Sequence, residues 1–160
     1  MQKERLEKKE ERQILVFRVA SEELGLDISC VREVLRPQEI YPLPKTPDFI
    51  EGVINLRGHI VPLFDLRKRL HAKQIEDEPN KRIIICRVNK SIVGLTVNSL
   101  MEIIALSKED IKPIPEVVSM QMEADVISGI ARVGERIIAI LSLEHIVTKK
   151  EVTELSALER

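Results

Sequence analysis

The chain has 160 residues, enough for one domain or two small ones, and 44% of them are hydrophobic. Its 25 basic and 26 acidic residues leave a formal net charge of −1, so nothing in the total draws it to nucleic acid, anionic lipid or a strongly acidic partner. Three Phe, one Tyr and no Trp leave the core to Ile, Val and Leu and argue against a platform for stacking bases.

In chain order, residues 1–13 are nearly all charged, and Glu4 and Lys8 suit a helical i,i+4 pair; the stretch reads as a frayed helix or solvated tail. Ile14–Ala20 and Leu24–Ile28 read as strands, with a turn at Ser21–Glu23 between them. Ser29 and Asn98 are both capping types, so one helical turn is expected to begin at Ser29. Proline punctuates Arg36–Pro47 and keeps it extended, and Asp48–Glu51 suits a helical turn. Residues 52–66 form a hairpin: two β-rich apolar runs flank Gly58-His59, read as the two-residue turn, with Gly first to supply positive φ and Arg57 just before it. A short helix at Arg67–His71 follows, with Asp65 as its cap, and Lys73–Lys81 is a polar linker.

Further strands are expected near Arg82–Val88, Ile92–Val97, Glu102–Leu106 and Lys112–Pro115. A loop over Glu116–Asp125, carrying Met120 and Met122, precedes a hairpin at Val126–Leu143. The C-terminal helix, His145–Arg160, has Ile146, Val152, Leu155 and Leu158 as its apolar positions.

The second half repeats the first. Ile14–Leu35 aligns without gaps onto Ile83–Ile104, and Gly52–Leu66 onto Gly129–Leu143. Ile40-Tyr-Pro-Leu-Pro44 matches Ile111-Lys-Pro-Ile-Pro115. Four of six glycines and four of eight prolines fall at paired positions, which identifies two copies of one small β unit, residues 14–72 and 82–147. Each copy holds about five short strands, the inventory of a small closed barrel, and two barrels packed together bury more core than one.

No catalytic constellation, cofactor motif or metal-ligand spacing is present in the sequence: His59, His71 and His145 are scattered, and neither cysteine has a CxxC partner. Cys30 and Cys86 lie in apolar runs and read as reduced core thiols. No apolar run approaches the roughly 20 residues of a membrane helix, so a soluble, cytoplasmic protein without direct membrane insertion is expected. Glu33 and Arg57 both lie beside apolar runs; a bidentate ion pair would satisfy both, and exposure to water is the plainer alternative. Arg57 aligns with Gly134, so the first copy carries an arginine there that the second lacks.

Val31-Arg-Glu-Val34, Pro42-Leu-Pro44, Pro47-Asp-Phe-Ile-Glu-Gly-Val-Ile-Asn-Leu-Arg-Gly58 and Ile60-Val-Pro-Leu-Phe-Asp-Leu66 resemble the signature of CheW-type chemotaxis coupling proteins. The resemblance covers about residues 14–147 and implies a mainly β fold of two tandem SH3-like five-stranded barrels with short helices and a C-terminal helix. It further implies a non-enzymatic scaffold that couples the cytoplasmic tips of chemoreceptors to the regulatory domain of a CheA-type histidine kinase, with self-association in arrays allowed. Val31, Glu33, Gly52 and Arg57 match positions associated with receptor binding, and Val53, Ile54 and Asn55 are their neighbours in the same motif. Ile60 is a candidate for the kinase contact, and the Glu116–Asp125 loop is another contact candidate. For Val31 and Val53, core packing is as good a reading as contact. Gly52 serves either the close approach of a partner or a backbone bend. A nucleic-acid-binding small barrel is the alternative, opposed by the balanced charge and the few aromatics. A fragment of the kinase itself is disfavoured by the lack of a phosphoacceptor-histidine helix.

Overall fold

The computed structural model describes residues 11–70, 79–115 and 126–147. Most of the charged tail, most of the polar linker, the Glu116–Asp125 loop and the C-terminal helix beyond Val147 lie outside the described residues. The first copy forms β1 (Arg12–Val19), β2 (Glu22–Asp27), β3 (Val31–Leu35), β4 (Ile50–Leu56) and β5 (His59–Asp65), then a short helix α1 (Leu66–Arg69). The second forms β6 (Arg82–Val88), β7 (Ser91–Val97), β8 (Ser99–Leu106), the two-residue β9 (Ile111–Lys112), β10 (Ile127–Val133) and β11 (Arg136–Leu141), then α2 (Leu143–Ile146).

The strands make two sheets, ordered β8-β1-β2-β11-β10-β9 and β3-β6-β7-β5-β4. The expected two-barrel fold is present, but each barrel takes strands from both copies, so neither copy closes a barrel by itself. The β1–β2 hairpin sits between β8 and β11 of the other copy, and β6–β7 sits between β3 and β5. The switch follows β2, where the chain enters a 3-10 turn at Ile28–Cys30 and leaves it as β3 in the other sheet. Asp27 caps that turn by accepting the Ser29 amide at 3.0 Å, so the cap lies two residues before the expected Ser29. Asn98 caps no helix. Its side chain accepts the buried Ala20 amide at 2.8 Å and holds the β1–β2 turn instead.

The duplication persists in register. Both β3–β6 and β8–β1 are disrupted at equivalent residues, Arg32 and Met101, and both β4–β5 and β10–β11 at Glu51 and Ser128. Tyr41 bridges Val53 as Lys112 pairs with Ile130, so β9 has its counterpart in the proline-rich segment.

Three apolar clusters follow. Ile14, Val16, Ala131, Ile138 and Ile140 fill the interior of the first sheet. Ile54, Val61, Leu63, Ile83 and Ile85 fill the second. The largest cluster draws Leu15, Phe17 and Leu26 from one sheet and Phe64, Ile84 and Leu95 from the other, and so lies between them. Strands such as β1 and β6 are buried on both faces, which is why they read as unbroken apolar runs rather than alternating ones. The paired glycines are explained by space. A Cβ on Gly25 would lie 2.6 Å from Ile14 Cγ2, and one on Gly94 would overlap Leu63 Cδ2, so each small barrel is too narrow for a side chain there.

Candidate functional site

The β4–β5 hairpin turns through Arg57 and Gly58, with Leu56 paired to His59. The turn therefore lies one residue before the expected Gly58-His59. Arg57 (φ 51°) and Gly58 (φ 86°) both take positive φ, the pattern of a type I′ turn that suits the strand twist. Asn55 stabilises it by accepting the Gly58 amide on Oδ1 at 2.9 Å. The consequence is that Arg57 is at the tip, where its side chain is free to swing across to β3.

There it meets Glu33. Nη1 of Arg57 donates to Glu33 Oε1 at 3.1 Å and Nη2 to Oε2, a bidentate fork. β3 and β4 are the outermost strands of their sheet. In a flat five-stranded sheet those edges would be about 19 Å apart, so the pair spans the seam where the sheet curls shut. Hydrogen bonding to Arg57 holds the Glu33 carboxyl below its ordinary range, and the same contact raises Arg57. The Arg57 side chain is 68% exposed and that of Glu33 31%, so solvent screens the pair and its role is geometric more than stabilising.

The pair stands at the mouth of an open groove of about 450 Å³. Leu56, Val61, Ile85 and Ile92 give the groove apolar walls, and Arg32, His59 and Lys90 add to its polar lining. The structure thus brings Glu33 and Arg57 together in one groove and leaves the other expected residues outside its lining. Val31 heads β3 and packs against the inter-sheet core. Gly52 (φ 145°) lies under the chain's own Tyr41: a Cβ there would overlap the Tyr41 carbonyl oxygen, so the close approach it permits is internal. Val53 exchanges hydrogen bonds with Tyr41 at 2.8 and 2.9 Å. Ile54 is core, Asn55 holds the turn, and Ile60 is an exposed residue paired with Asn55. Sequence reasoning missed Arg32, Lys90 and Ile92. Lys90 adjoins the β6–β7 turn and approaches Glu33 only through the strand exchange, so its place in the sequence carried no signal.

The second barrel carries a related arrangement. Arg136, at the head of β11, donates to Glu102 and, from Nε at 2.9 Å, to Glu23. The second copy therefore does supply an arginine. It stands just after its hairpin turn rather than within it, and the ungapped alignment concealed this.

Asp65 accepts the Arg67 amide at 2.9 Å and caps α1, as expected from the sequence. Cys86 is buried, and that burial pushes its thiol far up; Cys30 is half-buried and raised for the same reason. No helix of the described residues is long and apolar enough to cross a membrane.

Two exchanged small barrels with a charge-lined groove at one end make a β-rich double-barrel module. Residues 13–151 match the family model of the CheW-like domain. The chemotaxis protein CheW of Klebsiella aerogenes is 31% identical over 88% of this chain and 84% of its own length. That of Treponema pallidum is 31% identical over 93% and 89%. Protein FrzA of Myxococcus xanthus is 31% identical over 66% of each chain. Among solved structures, the scaffolding protein TtCheW of Thermoanaerobacter tengcongensis superposes with a TM-score of 0.80 at 36% identity, over 88% of this chain and 94% of that one. The chain belongs to the CheW-like family of chemotaxis adaptors. These relationships lend no support to the nucleic-acid alternative.

Proposed function

We propose that this chain is a non-catalytic cytoplasmic scaffold that couples chemoreceptor tips to the regulatory domain of a CheA-type histidine kinase. One observation carries the reading: the Glu33–Arg57 fork stands at the mouth of an apolar-walled groove, on two residues of the family motif. A helical tip suits such a groove, with apolar side chains on the half-buried Leu56 and Ile92 and charge at the rim setting its register. Receptor contact is assigned to Val31, Glu33, Gly52, Val53, Asn55 and Arg57. Gly52 and Asn55 act there by shaping the hairpin. Kinase contact is assigned to the exposed Ile60.

Co-sedimentation with receptor-containing membranes and the cognate kinase, with phosphorylation followed in the same tube, tests this. The expected result is that the chain pellets with both and raises kinase output. A folded chain that binds neither, in either order of addition, refutes it.

A further inference from the structure

β8 is an edge strand, and it leaves Leu100, Met101 and Ile103 exposed, Ile103 at 56%. Its repeat counterpart β3 exposes only Val34 among its large apolar side chains. An open apolar edge strand is a template for unwanted pairing, and folds commonly cover it. Leu100 stands opposite Phe17 and Ile103 opposite Leu15, and directly opposed side chains share a face. Leu15 and Phe17 belong to the apolar cluster between the sheets, as does Val147, where the described chain ends. The open face of β8 therefore continues the surface on which Val147 is packed.

The internal repeat supplies a route from one to the other. The sheets exchange hairpins symmetrically, so α2 stands to β1 as α1 stands to β6. In the first copy the chain leaves α1 at Leu70, the equivalent of Val147, and residues 71–81 carry it to the head of β6. The same path from Val147 leads to the head of β1, where Arg12, Gln13 and Ile14 pair with Leu106, Ala105 and Ile104 of β8. Residues 148–160 are a longer run than 71–81, so they have the length to reach it. Their sequence places Val152, Leu155 and Leu158 three residues apart, on one side of a helix, among charged and small residues. Residues 1–10, which enter β1 at the same place, offer only Met1 and Leu6 as apolar cover.

We infer that residues 148–160 fold back as an amphipathic helix over β8, with Val152, Leu155 and Leu158 seated on Leu100, Met101 and Ile103. The segment is a built-in cover: a partner that uses the open face of β8 has first to displace it. This inference rests on the fold and its repeat and not on the partners proposed above.

Methyl NMR of the whole chain tests it. Cross-relaxation is expected between the Leu155 methyls and those of Ile103 and Met101, within one molecule. Ile103→Asp and Leu155→Asp are each expected to abolish these cross-peaks and to lower the urea midpoint. The two together should lower it no further than the more damaging one alone, because either change already breaks the contact. Unshifted methyl signals of the core residues Ile14 and Ile54 secure the fold of each variant. Leu155 cross-peaks to another face, or none at all, overturn the inference. So do cross-peaks that arise only between molecules in a mixed labelled sample, contacts to β8 from residues 1–10 instead, and midpoint losses that simply add.

Discussion

Glu33 and Glu102 occupy equivalent positions on the edge strands of the two sheets, and each is gripped by an arginine that reaches it from a different side of a hairpin turn. Arg57 comes from within its turn, Arg136 from just after. The glutamate has kept its place through the duplication while the cation has shifted by two residues. What both copies share is the need to fasten an edge strand to a hairpin tip where a small barrel closes.

The first prediction concerns Glu33. Hydrogen bonding to Arg57 holds its carboxyl below the ordinary range. A depressed folded-state value means that the pair's contribution is present above the ordinary glutamate range and is lost as pH falls through the depressed value. Arg57→Ala is expected to return the Glu33 carboxyl upward toward the ordinary range, read by carbon-13 NMR titration. It should also weaken receptor coupling while leaving the melting temperature close to that of the parent. An unmoved titration would mean that the fork does not form in solution.

Gly52 and Gly94 make a contrasting pair. An alanine at Gly94 meets the flexible end of Leu63, which can turn aside, so Gly94→Ala is expected to cost about 1–3 kcal/mol as overpacking. At Gly52 the obstacle is the Tyr41 backbone, and φ is 145°. Gly52→Ala is expected to cost more, roughly 3–5 kcal/mol, and to free the Tyr41 bridge. Urea denaturation ranks the two; equal costs would show that the 40–44 segment yields as easily as a side chain.

The paired glycines were legible in the sequence because each marks a place where a side chain would have to displace a close neighbour, and that constraint was duplicated with the chain. The cap at Asp65 was legible for a similar reason: it is local. The exchange of hairpins was not. Strands such as β1 and β6 are apolar on both faces, and periodicity says nothing about which neighbour an apolar strand joins. β3 was missed as a strand although it carries Glu33, because its half-exposed side chains leave only a weak apolar signal. The groove inherits this limit. Lys90 belongs to the second copy and Glu33 to the first, and only the exchange makes them neighbours.

The two thiols should differ in reactivity. Burial raises both, Cys86 more strongly because it sits within the inter-sheet core. At neutral pH a disulfide reagent is expected to modify Cys30 slowly and Cys86 only when the chain unfolds, since the thiolate is the reacting species. Counting modified thiols with and without urea checks this. Rapid native reaction of both would show that the core between the sheets opens readily.

Arg69 ties the two copies together at their helices. Its Nε donates to the Ile146 carbonyl at 2.8 Å and one Nη to that of His145 at 3.1 Å, while the guanidinium lies 5.3 Å from the Phe49 ring centre. Phe49 in turn stacks near Phe64 in the core. The side chain is thus a buried cation serving the last carbonyls of α2, where the helix dipole favours positive charge. Arg69→Met preserves much of the stem's volume but leaves both carbonyls without this donor. Each hydrogen bond to a charged group contributes about 1.5–3 kcal/mol, and water entering the gap recovers part of that, so a net loss of about 2–4 kcal/mol is expected. With a urea m-value of roughly 2 kcal/mol/M for a chain of this size, the midpoint should fall by about 1–2 M with the slope unchanged. Arg69→Lys keeps the charge but cannot fork to two carbonyls in one plane, and should fall between the two. A midpoint within about 0.3 M of the parent for Arg69→Met would show that hydration fully replaces the guanidinium and that α1 and α2 are held by apolar packing alone.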